Sequence, residues 1–339
     1  MSRVSANLMT VERPGMFSLL QDLGRLGHQQ YGVSVNGPMD EWSHRLANAL
    51  VGNGDDAAVL ECTLTGPRVS FSQDTLVALC GAVFEAHVDG RPVPMQRAAV
   101  LRAGSVLDFG PRVSGARVYL AVRGGFDTPP VLGSRSTYVR GALGGFEGRA
   151  LRKGDRLPVG QSRDGRPLPL EELRRESGLP VLADLPRAPA LPPLLEGPDI
   201  RLRFVPGPHW DAFTPDARRD FCSVPFGITQ DSDRMGQRLS GPVLQLRQPL
   251  ELVSEAVVFG AVQVPPDGQP IVLMADRQSA GGYPKIGYVC SADLPALAQA
   301  LPGQAVRFTP VDQAAAEGLW QTFETQLRRA CNAAGRALL

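Results

Sequence analysis

The 339-residue chain carries 35 basic side chains against 34 acidic ones, and 43% of its residues are apolar. A balance this even excludes nucleic-acid binding by bulk electrostatics, although a local basic patch would not register in it. Five cysteines without a CxxC spacing and only four histidines exclude a zinc ribbon and argue against a secreted disulfide framework. No run of 18 apolar residues is present to span a membrane. Glu12 and Pro14 fall where a signal peptide would need its apolar centre. The composition therefore predicts a cytoplasmic protein with no metal and no membrane or nucleic-acid partner. Its 30 Pro and 37 Gly amount to about a fifth of the chain, against roughly 12% in average usage. That excess predicts a mainly β protein of short strands joined by turns. The length corresponds to about two domains.

In chain order, Asp40 reads as the N-cap of a helix that carries Trp42, Leu46, Ala49 and Leu50 on one face and stops at Gly52. Thr75–Leu79, Ala98–Leu101 and Arg117–Val122 read as strands, and the N-terminal β domain extends to residue 160. Residues 161–198 form a connector with prolines at 167, 169, 180, 186, 189, 192, 193 and 198 and a short charged helix over Leu170–Glu176. The C-terminal domain, 199–339, restarts with a strand at Ile200–Val205. A helix capped by Thr214 follows, with Pro215 at its first position. Further strands are expected at Val257–Val264, Pro270–Ala275 and Ala305–Phe308, and a helix from Ser291 through Leu301. From near Asp312 a last helix places Leu319, Phe323, Leu327 and Ala330 on one face.

No phosphate loop, dinucleotide fingerprint, HExxH or GxSxG elbow occurs. Any ATP phosphate must therefore meet Arg, backbone N–H groups or another chain. All but two of the basic residues are Arg, so Schiff-base, phosphate-lysine or biotin chemistry is confined to Lys153 and Lys285. Neither lysine is flanked by methionine, which speaks against a biotin carrier.

Four stretches are unusual. Gln21–Arg25 is either a substrate loop or an Asx turn centred on Asp22. Residues 124–137, with Ser134, Arg135 and Ser136, form either an anion-binding loop or a hairpin end with a solvated Arg. In Ser232–Arg238, Arg234 and Arg238 would share a helical face, as a surface ion cluster or with Arg234 lining a pocket. In the fourth stretch, Pro265–Gly268 make a tight turn and the next strand delivers Asp276, Arg277 and Gln278 to its carboxyl end, just before Gly281 and Gly282. An acceptor, a cation and an amide beside backbone N–H groups suit binding of an amide or carboxylate and stabilisation of oxyanion charge. The competing reading is a salt-bridged Asp276–Arg277 hairpin base.

These stretches resemble one family across nearly the whole chain. The match rests on Gln21–Arg25, Gly37–Asp40, Arg45–Asn48, Leu132–Tyr138, Pro206–Pro208 with Trp210 and Asp211, Ser232–Gly236, Gln263–Pro270, Ala275–Gln278 and Gly281–Pro284. The family is that of the C subunit of bacterial 5-oxoprolinase, also called allophanate hydrolase subunit 2, the biotin-dependent carboxyltransferase family or the KipA-like family. The resemblance implies two cyclophilin-like β-barrel domains with a few short helices and a C-terminal helix. It also implies two partners, the KipI-like B subunit of 5-oxoprolinase together with its A subunit, in a heteromeric complex that opens 5-oxo-L-proline to L-glutamate with ATP hydrolysis. On that reading Asp276, Arg277 and Gln278 are catalytic, and Gln263, Arg234, Tyr283, Ser134, Arg135 and Ser136 bind the substrate. ATP is bound at or with a partner subunit. Two other roles remain open: carboxyl transfer to urea or another amide from biotin on a separate carrier, and non-catalytic binding of a KipI-like kinase inhibitor. The Ser–Lys nucleophile of an amidase is missing, so literal allophanate hydrolysis is excluded.

Overall fold

The computed structural model describes residues 7–162 and 199–336. The connector expected at 161–198, with its helix over Leu170–Glu176, lies outside the described residues except for its first two positions. The described chain forms two compact units. Residues 7–25, 40–162 and 327–336 make up the first, and residues 26–39 and 199–326 the second. The mainly β expectation, with few short helices and a long C-terminal one, holds.

The first unit contains β1 (Leu8–Arg13), β2 (Phe17–Gln21), β3 (Val59–Thr63), β4 (Arg68–Phe71), β5 (Thr75–Phe84), β6 (His87–Val88), β7 (Arg91–Pro92), β8 (Ala98–Leu101), β9 (Val106–Asp108), β10 (Arg112–Val122) and β11 (Arg156–Pro158). They form a six-stranded sheet, β11-β1-β4-β9-β6-β7, and a five-stranded sheet, β2-β3-β10-β5-β8. Side chains from both sheets, among them Met9, Phe71, Leu107, Leu60, Leu79 and Val118, interleave in one core. The opposite face of the five-stranded sheet is buried as well. There Val59, Leu76, Ala78, Cys80 and Tyr119 pack against helix α1 (Glu41–Leu50) and against Ala330 and Ala334 near the C-terminus. Burial on both faces explains why β5 and β10 read as continuous apolar runs rather than as alternating strands.

Asp40 caps α1 as expected, accepting from the Ser43 N–H at 3.0 Å and from the Ser43 hydroxyl at 2.6 Å. The helix itself departs from an amphipathic pattern: every residue from Trp42 to Leu50 is buried, including His44, Arg45 and Asn48. Those polar groups are covered because each has work inside the unit. Arg45 pairs with Asp55 and Glu41, and Asn48 donates to the Ala57 carbonyl.

The second unit is a closed barrel. Its strands are β12 (Asp199–Pro206), β13 (Phe226–Ile228), β14 (Gly236–Ser240), β16 (Ala261–Gln263), β17 (Ile271–Leu273), β19 (Lys285–Val289) and β20 (Ala305–Pro310), in the order β12-β19-β16-β17-β14-β13-β20. The parallel pairing of β12 with β20 closes the ring, which leaves it without edges. Phe204, Phe221, Phe226 and Phe308 fill the interior, with Phe221 and Phe308 stacked at 4.3 Å between centroids. Phe221 comes from α2 (Pro215–Ser223), which Thr214 caps through the Ala217 N–H with Pro215 in its first turn. A separate two-stranded ribbon pairs β15 (Glu255–Ala256) with β18 (Ala280–Gly281).

Three expectations are corrected here. Arg234 and Arg238 do not share a helical face, because β14 begins at Gly236. Asp233 accepts from the N–H groups of Met235 and Gly236, an Asx turn that stops a helix and feeds a strand. Val257–Val264 is a strand only over Ala261–Gln263, since Gly260 turns the chain at φ +86°. Ser291 caps no helix either. It opens a single 3-10 turn before the short α3 (Leu294–Ala298), and the side chain that organises this corner is Asp293, which binds Arg203. The final helix, α4 (Gln313–Arg336), follows Asp312, whose carboxylate accepts from the Ala315 N–H, and buries Phe323, Leu327 and Ala330 as read. Among the described residues no helix is long and apolar enough to cross a membrane.

His44 gives the first unit a pH dependence. Its Nε2 meets the Gln21 carbonyl at 3.3 Å, and its buried Nδ1 has no partner among the described residues. Burial pushes its pKa down from 6.5 to about 4, against the pull of that bond and of Asp22. Between those values the folded ring stays neutral while the unfolded chain takes up a proton. The stabilisation is complete above pH 6.5 and lost as pH falls toward 4, by about 3 kcal/mol. Urea unfolding followed from pH 7 to pH 4.5 is expected to show this loss, and His44→Gln is expected to make the slope shallower by about one proton.

Candidate functional site

The strand β17 ends at Leu273, and the chain turns through Asp276, Arg277 and Gln278 before entering β18. Asp276 is the anchor of this turn. Arg234 grips it with two bonds, Nε to Oδ2 at 2.9 Å and Nη2 to Oδ1 at 3.0 Å, and Asn36 donates to Oδ1 at 2.8 Å. Arg234 also donates to the Gly37 carbonyl at 2.7 Å, and the Ser34 hydroxyl donates to the Arg277 carbonyl at 2.8 Å. The backbone closes the same junction, the Asp276 N–H donating to the Arg234 carbonyl at 2.8 Å. Both partners of the ion pair are buried, and fork-to-carboxylate geometry of this kind is the strong form of the interaction. The hairpin-base reading is corrected accordingly: Asp276 pairs with Arg234, 42 residues away, and not with its neighbour Arg277. Both of its carboxylate oxygens accept hydrogen bonds that hold the turn in place.

Arg277 is left with a different role. Its Nε reaches the Val257 carbonyl at 3.5 Å, and its guanidinium carbon lies 5.8 Å from the Phe259 ring centroid. Among the described residues no carboxylate holds it. It is only 8% exposed, and burial lowers its pKa from the usual value, with adjacent Asp276 pulling the other way. A guanidinium desolvated on an aromatic face and unmatched by an anion is prepared to receive one.

Beside it, the Gln278 amide donates to Gln263 Oε1 at 3.3 Å. Gln263 is 1% exposed, and its Nε2 has no partner among the described residues. A side chain at Gly281 would sit 2.6 Å from that nitrogen and 3.2 Å from the Gln278 nitrogen, so only a glycine can pack this closely against both amides. Gln263 therefore holds the spare donor, while Gln278 orients it. Directly opposite Gln263 in the barrel wall stands Lys285, itself 1% exposed, with Nζ 2.6 Å from Glu255 Oε1. Tyr283 stands apart, 45% exposed, with no side-chain hydrogen bond to the described residues.

Ser134, Arg135 and Ser136 belong to the first unit, and there their polar groups are occupied. Asp22 accepts from the hydroxyls of Ser134 at 2.6 Å and Ser136 at 2.7 Å, and from the Arg135 and Gly24 N–H groups. The Arg135 guanidinium is held by Asp127 and the Thr128 carbonyl. The Asx-turn reading of Asp22 is thus correct, and the two motifs at 21–25 and 134–136 are two halves of one cluster. Among the described residues no group of His, Cys, Asp and Glu is arranged to hold a metal.

The site assignment from single motifs left out Ser34, Asn36 and Lys285, although the sequence had already marked Lys285 as one of two lysines. The signal for Asn36 was its Asn-Gly-Pro setting, which suits the φ of +61° that it adopts. The signal for Lys285 was its rarity in a chain that otherwise uses Arg.

Residues 31–310 match the family model of the carboxyltransferase domain, subdomain A and B. The chain belongs to that family. It is 40% identical to the C subunit of 5-oxoprolinase from Escherichia coli over 89% of this chain and 90% of that one. The corresponding Haemophilus influenzae protein is 39% identical over 86% and 87%. Urea carboxylase of Kluyveromyces lactis superposes with a TM-score of 0.85 at 29% identity, covering 97% of this chain and 30% of the larger enzyme.

In this carboxyltransferase-domain chain the Arg234–Asp276 pair is the structural hinge of the site. Asp276→Ala leaves a buried guanidinium uncompensated and is expected to destabilise the barrel by about 3–5 kcal/mol. In urea unfolding, Arg234→Met combined with Asp276→Leu is expected to recover most of that loss, since it removes both charges together.

Proposed function

We propose that this chain is the C subunit of an ATP-dependent 5-oxoprolinase, active with its A and B subunits and opening 5-oxo-L-proline to L-glutamate. The observation that carries the reading is 40% identity to a named C subunit of 5-oxoprolinase along nine-tenths of that protein. The turn after β17 supports it with chemistry of the right kind. A 5-oxoproline molecule offers one carboxylate and one secondary amide. Arg277, held by a carbonyl and an aromatic face and by no carboxylate of the described residues, suits the substrate carboxylate. The unpartnered Gln263 Nε2 suits the lactam carbonyl. Gln278 fixes the orientation of Gln263, and Asp276 holds the turn through Arg234.

Opening the ring joins water oxygen to the carbonyl carbon and breaks the C–N bond, with the nitrogen taking up a proton. The amide is resonance-stabilised, so donors aimed at its oxygen lower the barrier. ATP is the co-substrate whose hydrolysis drives the reaction. This chain has no glycine-rich phosphate loop to receive it, in keeping with an ATP site at or with a partner subunit. Carboxyl transfer to urea is the second reading, favoured by the likeness to urea carboxylase. In that case biotin and its carboxylase would reside on other chains.

Reconstituted with A and B subunits, the wild-type chain is expected to support ATP hydrolysis that depends on 5-oxoproline and ignores avidin and bicarbonate. Arg277→Ala is expected to lower kcat/KM for 5-oxoproline about 100-fold, the size of a lost charge-assisted hydrogen bond. Avidin-sensitive, bicarbonate-dependent turnover of urea would replace the first reading with the second. Unchanged turnover in the variant would remove Arg277 from the site.

A further inference from the structure

The chain has two lysines. Lys153 is exposed, whereas Lys285 is almost wholly enclosed. An ammonium is more strongly hydrated than a guanidinium and harder to bury, so a lysine kept inside an Arg-rich chain calls for an explanation. Its position supplies one. In the β16–β19 ladder Lys285 is the cross-strand partner of Gln263, just past a register shift between Val262 and Gln263, and Glu255, which its Nζ meets, pairs with Gly281, the glycine that abuts the Gln263 amide. Strand pairing and the Glu255–Gly281 ribbon thus bring Lys285 to the neighbourhood of the residue whose amide Nε2 is buried and unpartnered among the described residues. The Nζ atom has three donors, and among the described residues one bond, to Glu255, is made. Glu255 lies on β15, in the two-stranded ribbon whose other strand carries Gly281. Its side chain is 53% exposed, so the pair joins an enclosed cation to a carboxylate in contact with solvent.

A surface pair would be worth little, and a buried pair kept only for stability would be expected to bury both partners with further hydrogen bonds. Lys285–Glu255 does neither. The ammonium is desolvated, still has donors to give, and has a partner that can turn to water without becoming a buried charge.

We propose that Lys285 is a further catalytic residue of this site, its ammonium joining Gln263 Nε2 as the pair of donors that meets the negative charge building at the substrate carbonyl oxygen, with Glu255 as the latch that holds the ammonium between turnovers. The proposal rests on the 5-oxoprolinase reading. As water adds to the lactam carbon, the carbonyl π pair moves onto oxygen. As the adduct collapses, that pair returns, the C–N bond breaks and nitrogen leaves with a proton. Lys285 keeps its own protons throughout and supplies charge alone. A fixed positive charge aimed at such an oxygen acts in the transition state more than in the ground state.

The test uses the complex reconstituted with A and B subunits and two variants: Lys285→Ala and Lys285→Arg. Each is first checked for assembly with the partners and for an unchanged melting temperature. Lys285→Ala is expected to lower kcat about 100-fold with KM for 5-oxoproline changing less than threefold, the pattern of an interaction made in the transition state. Added ethylammonium is expected to restore part of that kcat, which a merely structural lysine would not allow. Lys285→Arg is expected to stay well below wild type, because the larger guanidinium does not fit the ammonium's place. Should Lys285→Ala fold poorly, Lys285→Arg carries the test alone, and wild-type kcat in it overturns the proposal. Retention of kcat in an assembled Lys285→Ala complex, or a change confined to KM, also overturns it. A wild-type complex that turns over no 5-oxoproline refutes instead the functional reading, and this proposal with it.

Discussion

The Asp276 carboxylate is the point on which the barrel unit's candidate site depends. Side chains and a backbone amide converge around it, from Arg234, Asn36 and the turn itself. An aspartate at the end of a short strand has little to hold it locally, since β17 contributes only three residues. The bidentate grip of Arg234 replaces a longer strand as the source of rigidity, and a buried pair of this kind fixes geometry more reliably than it adds stability. The next residue, Arg277, inherits a fixed backbone through the Ser34 hydroxyl. Its direction is therefore settled before any ligand arrives, which is what preorganised recognition requires.

The same unit treats its cations in three ways. Arg234 is matched charge for charge and serves the fold. Arg277 rests on an aromatic ring without an anion among the described residues. Lys285 is lent to an exposed glutamate. Lys285 in turn holds the Glu255 carboxyl below its ordinary range, chiefly through their hydrogen bond. The neutral members follow the same logic. Gln278 spends its amide on Gln263, and Gln263 keeps a donor in reserve. Unsatisfied buried donors are uncommon because they forgo a hydrogen bond. One placed against a glycine, on the strand paired with that of Lys285, is where the proposed function puts the lactam oxygen. In the first unit the comparable hydroxyls of Ser134 and Ser136 are already paired with Asp22, and neither waits for a partner.

What local chemistry dictates was legible in the amino-acid order. Asp40 and the Thr214–Pro215 step located two helix starts, and the apolar run Ala98–Leu101 gave β8 its bounds. The turn after β17 stood out as a candidate site because an acid, a cation and an amide follow one another at a strand end. What could not be read was pairing across distance. Asp276 meets Asn36 from 240 residues away and Ser134 meets Asp22 from 112, and no periodicity carries that information. Arg234 and Arg238 misled for a related reason: a four-residue spacing is helical only if the backbone is, and Asp233 had already committed that backbone to a turn. The division of labour within the candidate set, Asp276 to hold and Gln263 to give, became visible only from hydrogen-bond partners.

On the proposed function, the turn after β17 and the facing strand pair present unmatched donors to one small amide bearing a carboxylate. A crystal structure of the reconstituted complex with 5-oxoproline tests it most directly. The lactam oxygen is expected within hydrogen-bond reach of Gln263 Nε2 and the carboxylate on Arg277, with Asp276 still held by Arg234. Clear density for the ligand bound elsewhere, with the Gln263 amide and the Arg277 guanidinium satisfied by protein alone, would contradict it.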